Sequence, residues 1–457
     1  MKTTKRERRY AAENFNEVFH TTLNPEGPGV VRIHLVPPVL KEGEIAASCA
    51  IINGQDVIPV NRSWSILLIE FIKEVNKYAG RPLSNDDYET IMRNTEKAVR
   101  RVYPLLGRKR LRNDIYTIMN TFEQIARGKE VTEQIEYVTL GDYAPFMRAP
   151  HRMDLMVSAM TKNGIWHCNQ KCVHCYAAGQ AHAEENELST DDWKRIIDKC
   201  REIGVTQVTF TGGEPTMRPD LIELIDHAKW FITRLNTNGI LLSKEYAEAL
   251  LKASLDSVQI TFYSFKEGVH NALVGADRFS DTVNGIRNAL AAGLSVSVNT
   301  PLCTLNRDYL GTLKFLHELG VMYVTCSGLI TTGNAAKSPS SSLQLSGEEL
   351  KAILREAVDY CYANDMEISF TSPGWVEPEF CAELGISTPT CGACLSNMAV
   401  TPGGSVVPCQ SWLSGRALGN MLDDDWESIW NGDACTNIRE NSANMSGECP
   451  LLIRKGN

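Results

Sequence analysis

The sequence predicts an α/β protein: a central parallel sheet with helices outside, a small α+β unit before it and a cysteine-rich module after it. Three observations carry this. Between residues 155 and 327 short apolar strands alternate six times with amphipathic helices, the grammar of a parallel sheet. Ahead of that run, strands come first and helices follow. Behind it, six of the 14 cysteines fall between Cys381 and Cys449. The length of 457 residues, with 43% hydrophobic and 22% charged residues, suits a globular chain of about three domains. The expected boundaries are 1–150, 151–345 and 346–457.

Each element has its own signal. Residues 30–36, 45–52 and 56–60 read as strands. Asn61 then leads into an apolar-periodic helix through Ile66, Leu67, Ile69, Phe71, Ile72 and Val75. Helical patterns follow at 88–102 and 114–126. The first barrel strand is expected at 155–160. A helix over 191–203, capped by Thr190, buries Trp193, Ile196, Ile197, Cys200 and Ile203 and stops at Gly204. Strands at 205–211, 232–236, 258–262, 295–302 and 321–327 alternate with helices at 220–231, from Ser243, at 281–292 and at 307–319. Residues 331–345, rich in Ser with small Gly and Ala residues and Pro339, read as a linker or flexible loop. Ser346 and Glu349 make a capping box for a helix reaching about residue 362. The pattern fits an open barrel or a doubly wound sheet.

Composition narrows function. A net charge of −9 argues against a nucleic-acid-binding body. Fourteen cysteines in a chain this long are too sparse for a disulfide scaffold. The basic start (Lys2, Lys5, Arg6, Arg8, Arg9) has no apolar run behind it, so it reads as a solvated tail and not a signal peptide. No stretch reaches the roughly 18 apolar residues of a membrane span. A reducing cytoplasm is the expected location, where clustered thiols bind metal or do chemistry.

After the first barrel strand comes Cys168-Asn-Gln-Lys-Cys172-Val-His-Cys175-Tyr176, at the strand end where α/β barrels place their chemistry. Three thiolates can hold three irons of a [4Fe–4S] cube and leave the fourth iron open. Zinc is the other reading, with His167 and His174 near; three packing cysteines in a polar loop is the bland one. One βα unit later stands Thr211-Gly212-Gly213-Glu214-Pro215, where glycines let a ligand approach the backbone and Glu214 can accept from an ammonium group.

With these two motifs together, residues 155–329 resemble the radical S-adenosylmethionine (SAM) superfamily, whose fold is a partial (β/α)6 TIM-like barrel. Cys168, Cys172 and Cys175 match its cluster ligands, and Gly212, Gly213, Glu214 and Pro215 match its methionine-amino motif. Asn238, in the Asn236-Thr-Asn-Gly239 segment, and Thr261 on the fourth strand fall where the family contacts the nucleoside, and Tyr176 beside the third thiol joins the expected SAM-binding set. The resemblance implies that the open iron chelates SAM. One electron then cleaves the sulfonium to methionine and a 5′-deoxyadenosyl radical, which takes hydrogen from a substrate. It also implies an oxygen-sensitive enzyme served by a flavodoxin- or ferredoxin-type electron donor.

The tail resembles the SPASM/Twitch extension of these enzymes. Cys391, twelve residues, Gly404, four residues and Cys409 match its opening. The full pattern continues with four further cysteines, whereas here Cys449-Pro450 remains and Ser446 stands where another cysteine would precede it. The resemblance therefore implies one auxiliary [4Fe–4S] cluster, on Cys391, Cys409 and Cys449 with Cys394 as fourth ligand and Cys435 and Cys381 as competitors; a zinc knuckle is the other reading. Cys49, Cys200, Cys303, Cys326 and Cys361 read as core thiols, with Cys326 the one near the barrel mouth. Residues 148–152 read as a domain junction, substrate contact being the alternative.

The N-terminal unit resembles the winged-helix precursor-recognition domain of peptide-maturing radical SAM enzymes, holding a leader peptide as an added strand. The implied function is maturation of a ribosomally made precursor peptide, by a carbon-centred crosslink such as a thioether or by epimerisation. The runners-up are a radical SAM enzyme acting on a small molecule, cofactor precursor or folded protein, and a non-enzymatic iron–sulfur electron carrier. The carrier would not need the Gly-Gly-Glu-Pro segment.

Overall fold

The computed structural model describes residues 3–23, 31–41, 44–45, 48–53, 56–79, 81–126, 144–337, 340–444 and 448–452. The expected strands at 30–36 and 45–52 and the linker at 331–345 run partly outside this set, and Ser446 lies outside it. The chain divides into two compact units, Met1–Ala149 with Glu202–Thr206, and Pro150–Arg201 with Gln207–Asn457. No helix among the described residues is long and apolar enough to cross a membrane.

The first unit opens with a helix, α1 (Lys5–Asn14), and not with a solvated tail. Thr4 and Glu7 form a capping box, each side chain accepting the other's backbone N–H. Ala11 and Phe15 are buried in the core, while Lys5, Arg6, Arg8 and Arg9 face solvent. The charge is exposed, but the face behind it pays its entropy by burial. Four antiparallel strands follow in the order β1 (Phe19–Leu23), β2 (Val31–Val36), β3 (Ser48–Ile52) and β4 (Asp56–Val60). Against them pack α2 (Arg62–Val75), capped by the Asn61 side chain, α3 (Asn85–Val102), with a Ser84–Asp87 capping box, and α4 (Arg108–Ala126). Ile33, Leu35 and Ile52 meet Ile66, Ile69, Ile91 and Ile118 in one core. Each such side chain contributes roughly 1.5–3 kcal/mol.

The second unit is built on one ten-stranded sheet. Seven parallel strands follow chain order: β5 (Arg152–Ser158), β6 (Gln207–Gly212), β7 (Ile232–Thr237), β8 (Ser257–Thr261), β9 (Ser295–Pro301), β10 (Tyr323–Ser327) and β11 (Glu367–Phe370). The sequence anticipated six; β11 is hidden behind the linker that interrupts the alternation. On the far side of β5 the cysteine-rich module adds β12 (Asn397–Val400), also parallel, then the antiparallel β13 (Ser405–Val407) and β14 (Gly419–Asn420). The connecting helices are α5 (Thr190–Ile203), α6 (Leu221–His227), α7 (Lys244–Lys252), α8 (Glu267–Val274), α9 (Phe279–Ala291), α10 (Tyr309–Glu318) and α11 (Gly347–Ala363). The cap of α5 is Ser189, whose hydroxyl accepts the Asp192 N–H; Thr190 is already helical and its hydroxyl donates to Asp220. Later come α12 (Pro378–Leu384), α13 (Trp426–Trp430) and α14 (Asp433–Asn444).

Strand alternation sorts the sheet's two faces. Val208, Phe210, Leu235, Val258, Ile260, Val298 and Val324 are buried on one face. Thr209, Arg234, Asn236, Gln259, Asn299 and Thr325 line a cavity on the other. Parallel strands covered on both sides ordinarily run continuously apolar; these do not, because one face meets an open site. Cys326 follows Val324 and is fully buried, whereas Thr325 and Ser327 face the cavity, so Cys326 is turned away from the barrel mouth.

Candidate active site

The cavity encloses about 500 Å³, room for a ligand of cofactor size. Cys168, Cys172 and Cys175 line one wall. Their loop is held in place by backbone contacts: the Lys171 and Val173 N–H groups donate to the Val274 and Leu273 carbonyls at 2.9 and 3.0 Å, pinning it to the end of α8. The Trp166 indole N–H donates to the Gln170 carbonyl at 2.7 Å. Burial pushes the Cys168 thiol up to about 12 and raises Cys172 and Cys175 as well, and neighbouring thiols add to the rise at Cys168 and Cys172. Thiols raised in this way gain most from a cation that would stabilise their thiolates. The donor set therefore fits a metal cluster. Among the described residues no three His, Cys, Asp or Glu converge on a single ion; ligands of a cube sit on separate irons and do not need to.

The adjoining wall is the loop after β6. The Cys168 thiol donates to the Gly213 carbonyl at 3.5 Å, joining the two motifs directly. Gly212 has φ +136°, and a Cβ there would run into the backbone of Ser158; at Gly213 it would lie 2.8 Å from the Ala159 carbonyl. Only glycine fits either position. Glu214 is buried and spans two loops. Its Oε1 accepts from the Thr216 N–H (3.0 Å) and from the hydroxyls of Thr216 and Thr237 (both 2.6 Å), and its Oε2 accepts from the Asn238 N–H (2.8 Å). Burial raises its carboxyl, and these four donors oppose that rise. The Asn238 side chain donates to Asn169 Oδ1 at 2.6 Å, tying this wall back to the cysteine loop. Asn236 Oδ1 is buried with no partner, an acceptor pointing at whatever the cavity takes.

Of the residues expected to contact SAM, Tyr176, Gly212, Gly213, Glu214, Asn238 and Thr261 line this cavity; Pro215 does not, and instead starts the turn that orients Glu214. Tyr263 lines it too, its ring edge-on to His174 at 4.9 Å between centroids. Both His174 ring nitrogens are buried without partners, and burial pulls the imidazole down to about 4. Three features were not anticipated: the tie from Asn169, the presence of Asp154 and Arg234 in the lumen, and a clamp from the supposed linker. Arg152, in the run read as a junction with substrate contact as the alternative, lines the cavity too. Gly333 (φ +57°) passes so close to the Cys175 and Tyr176 carbonyls that a Cβ would strike both. Asn334 donates to the Cys175 carbonyl at 2.9 Å. Only the run of small residues hinted at such close approach.

A second set of thiols opens onto the same cavity: Cys391, Cys409 and Cys449. Burial pushes Cys409 up to about 12, with Cys391 and Cys449 adding to it. The β12–β13 hairpin, turned at Gly404, delivers Cys409, and Ser442 on α14 donates to the Ala393 carbonyl at 2.8 Å. Cys394 sits three residues from Cys391 in a left-handed conformation (φ 54°) and does not line the cavity. Its thiol engages Cys435, and the Arg439 guanidinium donates to Cys435 Sγ at 3.5 Å. Cys381 bonds Thr388 instead. Cys49, Cys200, Cys303, Cys326 and Cys361 are all buried.

Residues 167–316 match the radical SAM superfamily, and residues 391–450 match SPASM, an iron–sulfur cluster-binding domain. The chain is 27% identical over 292 residues to a PqqA peptide cyclase of Streptomyces rochei, covering 62% of this chain and 78% of that protein. It is 33% identical over 195 residues to an Fe-coproporphyrin III synthase of Methanosarcina barkeri, spanning 42% of this chain and less than half, 47%, of that protein. The fold is that of Streptococcus suis SuiB bound to S-adenosylmethionine, with a TM-score of 0.58 and 16% identity over 86% of this chain and 87% of that one. A SuiB structure bound to the precursor peptide SuiA aligns with the same score at 14% identity, over 88% and 92% of the two chains. A region matching the radical SAM superfamily and a region matching the SPASM iron–sulfur cluster-binding domain thus stand in one polypeptide.

Proposed function

We propose that this chain matures a ribosomally made peptide by radical SAM chemistry, forming a crosslink such as a thioether or inverting a stereocentre. The observation that carries the reading is the convergence of two thiol sets and the Glu214 wall on one cavity. When bound, a [4Fe–4S] cluster with SAM supplies one-electron cleavage to methionine and a 5′-deoxyadenosyl radical that removes a substrate hydrogen. Cys168, Cys172 and Cys175 hold that cluster. Gly212 and Gly213 keep the wall flat against the methionine end, Glu214 receives its ammonium group, and Tyr176, Asn238 and Thr261 border the nucleoside. Glu214 and Asn238 are buried, and a wall of this kind around bound SAM would help keep water from a reactive intermediate. Cys391, Cys409 and Cys449 hold one auxiliary cluster, with Cys394 as the fourth thiol.

The likeness to a PqqA peptide cyclase supports a peptide substrate. In this reading the first domain, residues 1–150, offers a sheet edge to the leader of the precursor. Residues 151–345 form the catalytic barrel, and 346–457 the auxiliary domain. Electrons come from a flavodoxin- or ferredoxin-type donor. All fourteen cysteines are free, which supports a reducing cytoplasm. A small-molecule substrate is the second reading, favoured by the likeness to an Fe-coproporphyrin III synthase.

The test is anaerobic reconstitution followed by reduction with SAM. About eight irons per chain are expected for two cubes, with release of 5′-deoxyadenosine that Cys168→Ala, Cys172→Ala or Cys175→Ala abolishes. Stoichiometric zinc and no SAM cleavage would sink the reading. Co-expression with short peptides encoded beside this chain should give one that loses two hydrogen atoms, or that gains solvent deuterium, by mass spectrometry.

A further inference from the structure

The lower half of the cavity carries charge that none of the roles above uses. Asp154, Thr209 and Arg234 stand side by side in one register row across β5, β6 and β7. At about 3.3 Å per residue, that row lies roughly 10 Å beneath Gly212 along the strands. Arg152 lies against Asp154, with Nε to Oδ1 at 3.0 Å and Nη2 to Oδ2 at 3.4 Å, and the pair is neutral. Arg234 is left over. Its Nε donates to Ser257 Oγ at 3.4 Å, and its closest anionic influence is the Asp154 already engaged by Arg152. Burial, and then the positive charge of Arg152, press the Arg234 guanidinium down. Thr209, 2% exposed, has a buried hydroxyl with no partner in the same row.

A barrel interior normally fills with Val, Ile and Leu. This one keeps one positive charge in excess and an unsatisfied hydroxyl facing an open space. Both are costly unless a ligand answers them. A planar guanidinium binds a carboxylate through two parallel hydrogen bonds, and the hydroxyl can donate a third.

We propose that Arg234 and Thr209 form an anchor for a carboxylate of the substrate at the base of the cavity. The inference rests on the peptide reading only for the source of that carboxylate, an acidic side chain or a chain terminus. Anchored there, the rest of the substrate extends up the lumen toward the cysteine loop.

The test uses cluster-loaded, SAM-bound enzyme and three probes: N-acetylglutamate α-amide, its glutamine counterpart, and N-acetylalanine with a free carboxylate. Binding is followed by ligand-observed NMR. At least one acid is expected to bind about tenfold more tightly than the glutamine amide. Preference for the glutamate probe identifies a side chain, and preference for the alanine probe a chain end. Arg234→Gln should erase the preference, and Arg234→Lys, which keeps charge but not the fork, should retain part of it. If the glutamine amide binds as well as both acids, or no probe binds, or Arg234→Lys matches wild type, the anchor is wrong. Wild-type enzyme that releases 5′-deoxyadenosine yet shows no preference keeps the proposed reaction and loses this site; a preference without SAM cleavage does the reverse.

Discussion

The side-chain amide of Asn334 donates to the carbonyl of Cys172 at 3.3 Å, while its backbone N–H holds the carbonyl of Cys175. The cysteine loop is therefore gripped from outside by a turn far along the chain. Two residues earlier the Thr332 hydroxyl donates to Tyr176, and Thr331 donates to the Leu451 carbonyl at 3.0 Å, close to Cys449. One short turn thus touches the backbone beside both thiol sets. Asn334→Ala is expected to cost about 1 kcal/mol and to broaden the electron paramagnetic resonance signal of the reduced SAM-binding cluster. Gly333→Ala should be worse, roughly 1–3 kcal/mol from the left-handed backbone before any collision is counted. A Gly333→Ala protein with wild-type melting temperature and iron content would refute the clamp.

Glu214 is expected to act through both of its oxygens. In Glu214→Gln the amide must place NH2 where an oxygen now accepts, against the Asn238 N–H or the Thr216 and Thr237 hydroxyls. Leaving a buried donor unmatched costs about 1–3 kcal/mol, so SAM affinity should fall by roughly tenfold or more. Calorimetry on the cluster-loaded enzyme measures this directly. Unchanged affinity would remove Glu214 from the ligand wall.

The fourth auxiliary thiol can be decided by iron counting. Cys394 shares a loop with Cys391, its N–H donates to Pro408 beside Cys409, and its thiol feels Cys409 electrostatically. Cys435 lies on α14 with Arg439. Cys394→Ala should lose iron from the auxiliary site, as Cys391→Ala, Cys409→Ala and Cys449→Ala should, whereas Cys435→Ala should keep it. The reverse pattern would assign Cys435.

Acid should loosen the N-terminal unit through Glu7. Burial alone would raise its carboxyl, but the Thr4 backbone, the hydroxyls of Tyr103 and Thr4, and Arg62 together hold it below the usual 4.5. A depressed carboxylate stabilises the fold above its unfolded value, and that contribution is lost as pH falls through the lower folded value. Tyr103 donates to Glu7 at 2.8 Å. Tyr103→Phe should cost about 1 kcal/mol at neutral pH and flatten the loss below pH 4.5. Chemical unfolding midpoints measured across pH give both quantities.

Local patterns made the barrel legible. Helices declare themselves through caps such as Ser243 and Ser346, and strands β6 to β10 through short apolar runs between them. The two cysteine motifs were equally plain, because each lies within a few consecutive residues. What escaped notice depends on partners distant in sequence. Nothing within Glu367–Phe370 or Asn397–Val400 says that these strands join opposite edges of one sheet. The Arg234 row needs three strands in register before its charges meet. The N-terminal helix is a different kind of miss: Thr4-Lys-Arg-Glu7 is a readable capping box, outweighed by the conspicuous basic residues around it.

The pairing of β12 with β5 has a further consequence. Arg152–Ser158 would otherwise be the outermost parallel strand, presenting a row of bare backbone groups to any passing chain. The auxiliary domain therefore guards the barrel's edge as well as carrying thiols. A version cut before Cys391 should suffer first from self-association, even where its cysteine loop is intact. Iron chemistry and colloidal solubility are thereby lodged in the same sixty residues.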